Sequence, residues 1–222
     1  MREPKIAIID LGMGNLFSIK QACTYVGLDA VVTHDHQELD QAQGLILPGV
    51  GAFGDAMKHL KEYDLIGFIK NFIQEGKPFL GVCLGMQLLM SESEEFGMNR
   101  GLDVIPGRVL RFSNKGQQNN NIKVPQVGWN QVFLTETGRD HPSDLWSGIE
   151  DGEYMYFVHS FYVSPDQPEV VALKTNYEGL DYCSGIIQKN IFATQFHPEK
   201  SAEKGLQIYQ NWANYVRRFV SQ

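Results

Sequence analysis

A cysteine between two glycines, set where an apolar strand gives way to a helical pattern, is the sharpest chemical signal in this sequence. Gly81-Val82-Cys83-Leu84-Gly85 follows the apolar run Phe79–Val82 and opens the helical pattern Leu84–Met90, the setting of a nucleophile elbow. The glycines leave room for a strained turn that lifts the thiol out of a sheet. A helix N-terminus behind the sulfur favours the thiolate, and the Leu84 N–H would point at a developing oxyanion. The same pentapeptide also suits a small buried cysteine between packing glycines. On its own it does not separate the two readings.

A second signal lies far along the chain, in Phe196-His197-Pro198-Glu199-Lys200-Ser201. In extended backbone, residues two apart face the same way, so His197 and Glu199 can lie side by side. Pro198 fixes its own φ and disfavours helix at His197. A carboxylate beside an imidazole sets its tautomer and stabilises the imidazolium. Alone, the segment also fits a surface loop with an incidental ion pair. Nucleophile, base and orienter, each just after a strand, argue for chemistry when taken together. A third element, Leu47-Pro48-Gly49-Val50-Gly51-Ala52-Phe53, again sits between strand and helix. Its glycines let peptide N–H groups approach a ligand or reorient, which would make a second oxyanion donor. An ordinary strand-to-helix turn explains that stretch equally simply.

Other chemistries fit poorly. Gly12-Met13-Gly14-Asn15-Leu16-Phe17 places Phe17 where a dinucleotide fingerprint needs a small residue. Gly49–Gly54 has the glycine spacing but no acidic residue about twenty positions on for a ribose. The six histidines show no metal-ligand spacing beside cysteines. No cofactor and no metal are expected.

These motifs must be held by a scaffold, and the first half of the chain supplies one. Lys5–Ile9, Val31–Thr33, Leu45–Leu47 and Phe79–Val82 read as short buried strands. Leu16–Val26, Phe53–Leu60, Leu65–Gln74 and Leu84–Met90 read as helices. Strand, turn and helix repeated in this way predict a parallel sheet covered on both faces. The second half is β-rich, with strands predicted over Val104–Phe112, Tyr154–Val163, Val170–Lys174, Cys183–Gln188 and Ile191–Phe196 and a closing helix over Ala202–Phe219. Short connections there point to antiparallel pairing. The expected fold is α/β, an open mixed sheet with a parallel core flanked by helices and antiparallel β additions in the C-terminal half. Residues 1–222 are read as one domain, with the active edge at the carboxyl ends of the parallel strands. The polar run Ser113–Asn121 has nothing to bury and reads as a mobile loop.

Composition narrows the function classes. The 222 residues are 43% hydrophobic and 20% charged, an ordinary globular balance. A net charge of -7 argues against nucleic acid or an anionic membrane as partner. Three cysteines, Cys23, Cys83 and Cys183, do not make a disulfide framework. The apolar run after the start is too short for a signal peptide, and no stretch approaches the ~18 residues of a membrane span. A cytoplasmic protein is the expectation.

The three elements, in this order, resemble the class I glutamine amidotransferases, the Cys-His-Glu family, over nearly the whole chain. Four stretches are similar to the branch of that family serving histidine biosynthesis: Asp10–Leu16, Pro48–Phe53, Gly128-Trp129-Asn130, and Tyr156-Phe157-Val158-His159-Ser160. The resemblance implies that Cys83 attacks the side-chain amide of glutamine and that His197, oriented by Glu199, moves the proton. Leu84, Val50 and Gly51 would form the oxyanion hole. Gly49, Gln87, Glu95, His159, Ser160 and Phe161 would contact substrate, Glu95 at its α-amino group.

It further implies a separate cyclase partner with a (β/α)₈ barrel, which receives the ammonia. That partner would make imidazole glycerol phosphate and an aminoimidazole carboxamide ribonucleotide. Asn15, Trp129, Asn130 and Lys200 match family positions at the subunit interface. One departure stands out: Pro125-Gln126-Val127 precedes Gly-Trp-Asn, where the family pattern reads Pro-His-Met. It leaves open a paralogous glutaminase that feeds ammonia to surface-sugar amidination. A non-catalytic assembly subunit is a further alternative, against which the full set of Cys83, His197 and Glu199 counts. A cysteine hydrolase of the same sheet type would not need Gln87, Glu95 and the branch-specific stretches.

Overall fold

The computed structural model describes residues 3–12, 14–112 and 122–221; the polar run expected as a mobile loop, 113–121, lies outside the described residues. In the first half, β1 (Lys5–Ile9), β2 (Asp29–Thr33), β3 (Gly44–Leu47) and β4 (Phe79–Val82) are separated by α1 (Leu16–Tyr25), α2 (His36–Leu39), α3 (Phe53–Glu62) and α4 (Leu65–Gln74). Directly after β4 comes α5 (Leu84–Leu88). The second half adds β5 (Glu92–Ser93), β6 (Asn99–Arg100), β7 (Gly107–Arg111), β8 (Gln126–Leu134), β9 (Glu153–His159), β10 (Phe161–Pro165), β11 (Val171–Tyr177), β12 (Leu180–Gln188) and β13 (Ile191–Thr194). Between β8 and β9 lies α6 (Glu136–Asp140), and α7 (Ala202–Val220) closes the chain.

The sheet runs β2-β1-β3-β4-β13-β12-β10-β7-β5-β6, with β11, β8 and β9 branching from β12. From β2 to β13 every pairing is parallel, and β13–β12, β12–β10 and β10–β7 are antiparallel. The mixed architecture is therefore the one the sequence predicts. Its physical basis is the two-residue side-chain period of strands buried on both faces. Ile6 and Ile8 of β1 pack with Tyr209 and Trp212 of α7, while Ala7 and Ile9 join Phe53, Leu60 and Ile69 of α3 and α4 on the other face. Helix α7 buries Ile208, Tyr209, Trp212, Ala213 and Val216, the spacing of one helical face.

Several elements differ from the sequence reading. The run Tyr154–Val163 is two strands broken at Ser160, because β9 pairs with β8 and β10 with β7. Strand β7 starts only at Gly107, after Pro106, which has no N–H to give a ladder. Helix α5 ends at Leu88, two residues earlier than predicted. Strand β8 was not anticipated: its apolar residues Val127, Trp129 and Phe133 alternate outward and are exposed, so the stretch does not read as core.

Candidate active site

Strands β4 and β13 are parallel neighbours, Thr194 opposite Val82, and the Cys83 N–H donates to the Thr194 carbonyl at 2.7 Å. The residues that follow the two strands therefore emerge side by side at the carboxyl edge. Cys83 adopts φ 54°, ψ -108°, a backbone region that is costly for any residue with a Cβ. Close packing enforces it. A Cβ on Gly85 would lie 1.7 Å from the Leu47 carbonyl oxygen, and one on Gly81 would press on the Gly85 backbone at 3.2 Å. Helix α5 has only five residues, so what it offers the sulfur is chiefly local: the first-turn N–H groups, Leu84 among them, that a helix start leaves without an intrahelical acceptor.

His197 follows β13, and its N–H donates to the Tyr156 carbonyl of β9 at 2.9 Å. Ser201 ties the loop down, its hydroxyl donating to the His197 carbonyl at 2.7 Å and accepting from the Tyr156 N–H at 3.0 Å. Residues Pro198–Lys200 form one turn of 3-10 helix. Helix α7 seats closely beneath it, since a Cβ on Gly205 would fall 1.9 Å from the Pro198 carbonyl oxygen. His197 Nδ1 and Glu199 Oε1 are 2.8 Å apart, with the Glu199 side chain almost wholly buried. Burial acts to lower the His197 pKa, but the charges and hydrogen bonds of Cys83 and Glu199 outweigh it and push the imidazole up to about 10. A protonated ring facing the cysteine sulfur is the resting arrangement that this favours. Glu199 Oε2 is buried without a partner, as is the Tyr209 hydroxyl, whose ionisation burial and then the Glu199 charge disfavour.

The third element leaves β3, which pairs with β4 through Leu47 and Gly81, so it runs beside the elbow. A Cβ on Gly49 would meet the Leu84 Cβ at 3.0 Å, and Gly51 has φ +94°. Val50 is exposed, and the Leu84 side chain is buried. Glu95 accepts from the Phe53 N–H at 2.7 Å, which holds its carboxylate at the start of α3. Burial pushes its pKa up against that bond, with Asp55 adding to the rise.

Gln87 projects from α5 and donates through Nε2 to the Phe161 carbonyl at 2.9 Å and to Gln195 Oε1 at 3.1 Å. His159 Nδ1 bonds the same Phe161 carbonyl at 2.8 Å. Burial, with the nearby His197 charge, drives the His159 pKa down to about 4 against the help of that bond, so the ring is neutral. The Ser160 carbonyl accepts from the Phe112 N–H at 3.2 Å. Gln195, which the sequence reading did not single out, lies at the centre of this cluster, its Nε2 3.6 Å from the Cys83 sulfur. The signal was present: two residues before His197 in extended backbone, it shares the side that His197 faces.

The remaining candidates lie apart from the nucleophile. Trp129 is 52% exposed and stacks edge-on with Tyr156 at 6.1 Å. The Lys200 ammonium sits 5.9 Å from the Tyr156 ring centroid. Asn15 caps α1 by accepting from the Ser18 N–H at 3.2 Å. Asn130 is turned inward, donating to the Asn176 carbonyl at 2.9 Å.

An elbow cysteine beside a buried His–Glu pair, on a parallel sheet with an antiparallel flank, is the arrangement of the class I glutamine amidotransferases. The family model described as glutamine amidotransferase class-I matches residues 7–214, and the chain belongs to that family. It is 49% identical to the imidazole glycerol phosphate synthase subunit HisH of Geobacter metallireducens, over 94% of this chain and 97% of that one. To the subunit of the same name from Aquifex aeolicus it is 43% identical, over 98% and 100% of the two chains. Among solved structures, the fold is similar to PurLQS from Thermotoga maritima, at TM-score 0.72 and 18% identity, covering 96% of this chain and 99% of that one. It is also similar to a putative GMP synthase subunit from Thermoplasma acidophilum, at TM-score 0.70 and 20% identity, over 100% and 98%.

Proposed function

We propose that this chain is the glutaminase subunit of an imidazole glycerol phosphate synthase and supplies ammonia for histidine biosynthesis. The observation that carries the reading is the Cys83–His197–Glu199 arrangement, in a chain whose relatives are named as HisH subunits. The relatives favour it over the surface-sugar alternative, and the intact triad favours it over a non-catalytic assembly subunit.

In the proposed mechanism the Cys83 thiolate adds to the amide carbon of glutamine. The oxyanion is met by the Leu84 N–H and by a peptide N–H from Val50 or Gly51. His197 then gives its proton to the leaving nitrogen, and the C–N bond breaks to release ammonia and leave a glutamyl thioester. Water, deprotonated by the same ring, adds to the thioester, and the C–S bond breaks to give glutamate and the free enzyme. Glu199 keeps the ring in the orientation both proton transfers need. In this reading Glu95 would hold the substrate's α-amino group and Gln87 would contact the substrate.

A partner subunit fits the surface. Strands β8 and β9 pair Val127 with Val158 and Trp129 with Tyr156. Val127, Trp129 and Val158, with Phe133 and Tyr154 of the same strands, are exposed. A contiguous apolar patch of this kind marks an interaction site. We assign it, with Lys200, to docking of the barrel-shaped cyclase. No helix among the described residues is long and apolar enough to cross a membrane.

The test is glutamate release from glutamine by the chain alone and with the cognate cyclase subunit. Slow release alone, strong stimulation by the cyclase, and a loss of about a thousandfold or more in Cys83→Ala are expected. Undiminished release by Cys83→Ala would overturn the mechanism; no stimulation by the cyclase would overturn the pathway.

A further inference from the structure

We propose that Gln195 is a further catalytic residue, whose side-chain amide donates to the Cys83 sulfur and stabilises it as the anionic nucleophile. The proposal rests on the reading of Cys83 as the glutaminase nucleophile. Gln195 is completely buried, and its backbone N–H donates to the Ser184 carbonyl at 3.0 Å, so its position is set by the sheet. Its side chain has two partners, Gln87 Nε2 at 3.1 Å and Cys83 Sγ at 3.6 Å.

The direction of these bonds follows from one fixed point. The Phe161 carbonyl can only accept, so the group of Gln87 that meets it at 2.9 Å must be the nitrogen. That nitrogen also faces Gln195, whose near atom must then be the oxygen. With its oxygen committed to Gln87, Gln195 can present only N–H to the sulfur. The chain of bonds thus aims a donor at Cys83, where the reversed amide would aim an acceptor.

The charged His197 ring that faces the sulfur must give its proton to the leaving nitrogen, so a second donor matters once the attack begins. The Val158 carbonyl, 4.0 Å from Sγ, can receive a thiol proton but repels a thiolate. The Gln195 N–H offsets that repulsion and leaves His197 free to turn toward the leaving nitrogen once the sulfur has attacked. Because the same amide is held by Gln87, a side chain expected to contact substrate, occupancy at Gln87 would be felt at the nucleophile.

Two substitutions separate this role from packing. Gln195→Met keeps the length and removes the donor. Gln195→Glu keeps an oxygen to accept from Gln87 and replaces the donor by an acceptor. The measurement is the rate of Cys83 alkylation by iodoacetamide between about pH 5 and 10 in the full chain, beside glutamate release and a thermal unfolding curve. For Gln195→Met, removing a hydrogen bond to an anion should lower the alkylation rate near neutral pH about tenfold and move its midpoint up by about one pH unit. Gln195→Glu should move it further in the same direction while still folding, and kcat should fall more than KM rises. An alkylation profile that coincides with wild type in both folded variants would overturn the proposal. Persisting glutamate release in Cys83→Ala would instead overturn the glutaminase reading beneath it, whatever Gln195 does.

Discussion

Acid should weaken this fold through one buried imidazole, His159, and a neutral substitute should expose the effect. The ring packs against Phe112 at 5.2 Å, Tyr182 at 5.5 Å and Phe157 at 5.7 Å, and it spends its Nδ1 proton on the Phe161 carbonyl. Burial lowers its pKa from 6.5 to about 4. As pH falls below 6.5 the unfolded chain takes up the proton first, so the contribution of His159 is fully present above that value and is lost as pH falls toward 4. A difference of this size corresponds to about 3 kcal/mol in all, most of it gone by about pH 4.5. His159→Gln should cost about 1–3 kcal/mol near pH 7, from lost ring packing and a weakened hydrogen bond. That penalty should shrink steadily on acidification, and near pH 4.5 the variant should match or exceed wild type. Urea unfolding of both proteins across this range, with m-values compared to confirm like transitions, measures it. A penalty that is the same at both ends within about 0.5 kcal/mol would refute the reasoning, since it would mean that the native ring is protonated as easily as the unfolded one.

Gly85→Ala would set a methyl group 1.7 Å from the Leu47 carbonyl oxygen, a backbone atom that cannot turn aside as a side chain can. Urea unfolding should show a loss of about 3 kcal/mol or more, and a loss below about 1 kcal/mol would show that β3 and α5 separate freely. Glu199→Gln would offer an N–H to His197 Nδ1 and force the ring proton onto Nε2, the atom that must receive the proton. Glutamate release should fall about 10²–10⁴-fold while the fold holds, and a change under about tenfold would remove Glu199 from the role of orienter.

The parallel core was legible because its inner strands β1, β3, β4 and β13 are buried on both faces, which turns a few consecutive apolar residues into an unambiguous run. Phe79–Val82 and Lys5–Ile9 were read with the bounds they have. The branch formed by β8 and β9 obeys a different rule. It buries Val132, Met155 and Phe157 on one face while it exposes Val127, Trp129 and Phe133 on the other, so apolar residues stand on both faces and the alternation that marks a half-buried strand is lost. The exposed apolar residues fit the proposed docking surface, and a pattern of that kind does not read as core. The break at Ser160 was hidden for another reason: β9 pairs with β8 and β10 with β7, and nothing in the run from Tyr154 to Val163 marks where one pairing ends and the next begins.

The site divides along similar lines. Cys83, His197 and Glu199 were legible because each carries local punctuation, glycines at the elbow and a proline between the acid–base pair, that records backbone strain. Gln195 carries none. A glutamine inside an apolar stretch looks like a tolerated polar residue, and its meaning lies in the orientation of its amide, which is decided by the Phe161 carbonyl across the sheet from it. Residue type and spacing announce groups that react, whereas a group that orients them is announced only by the partner that uses up its other end. In this fold that partner is Gln87. A residue expected to touch substrate is therefore also the one that fixes which atom of Gln195 faces the nucleophile.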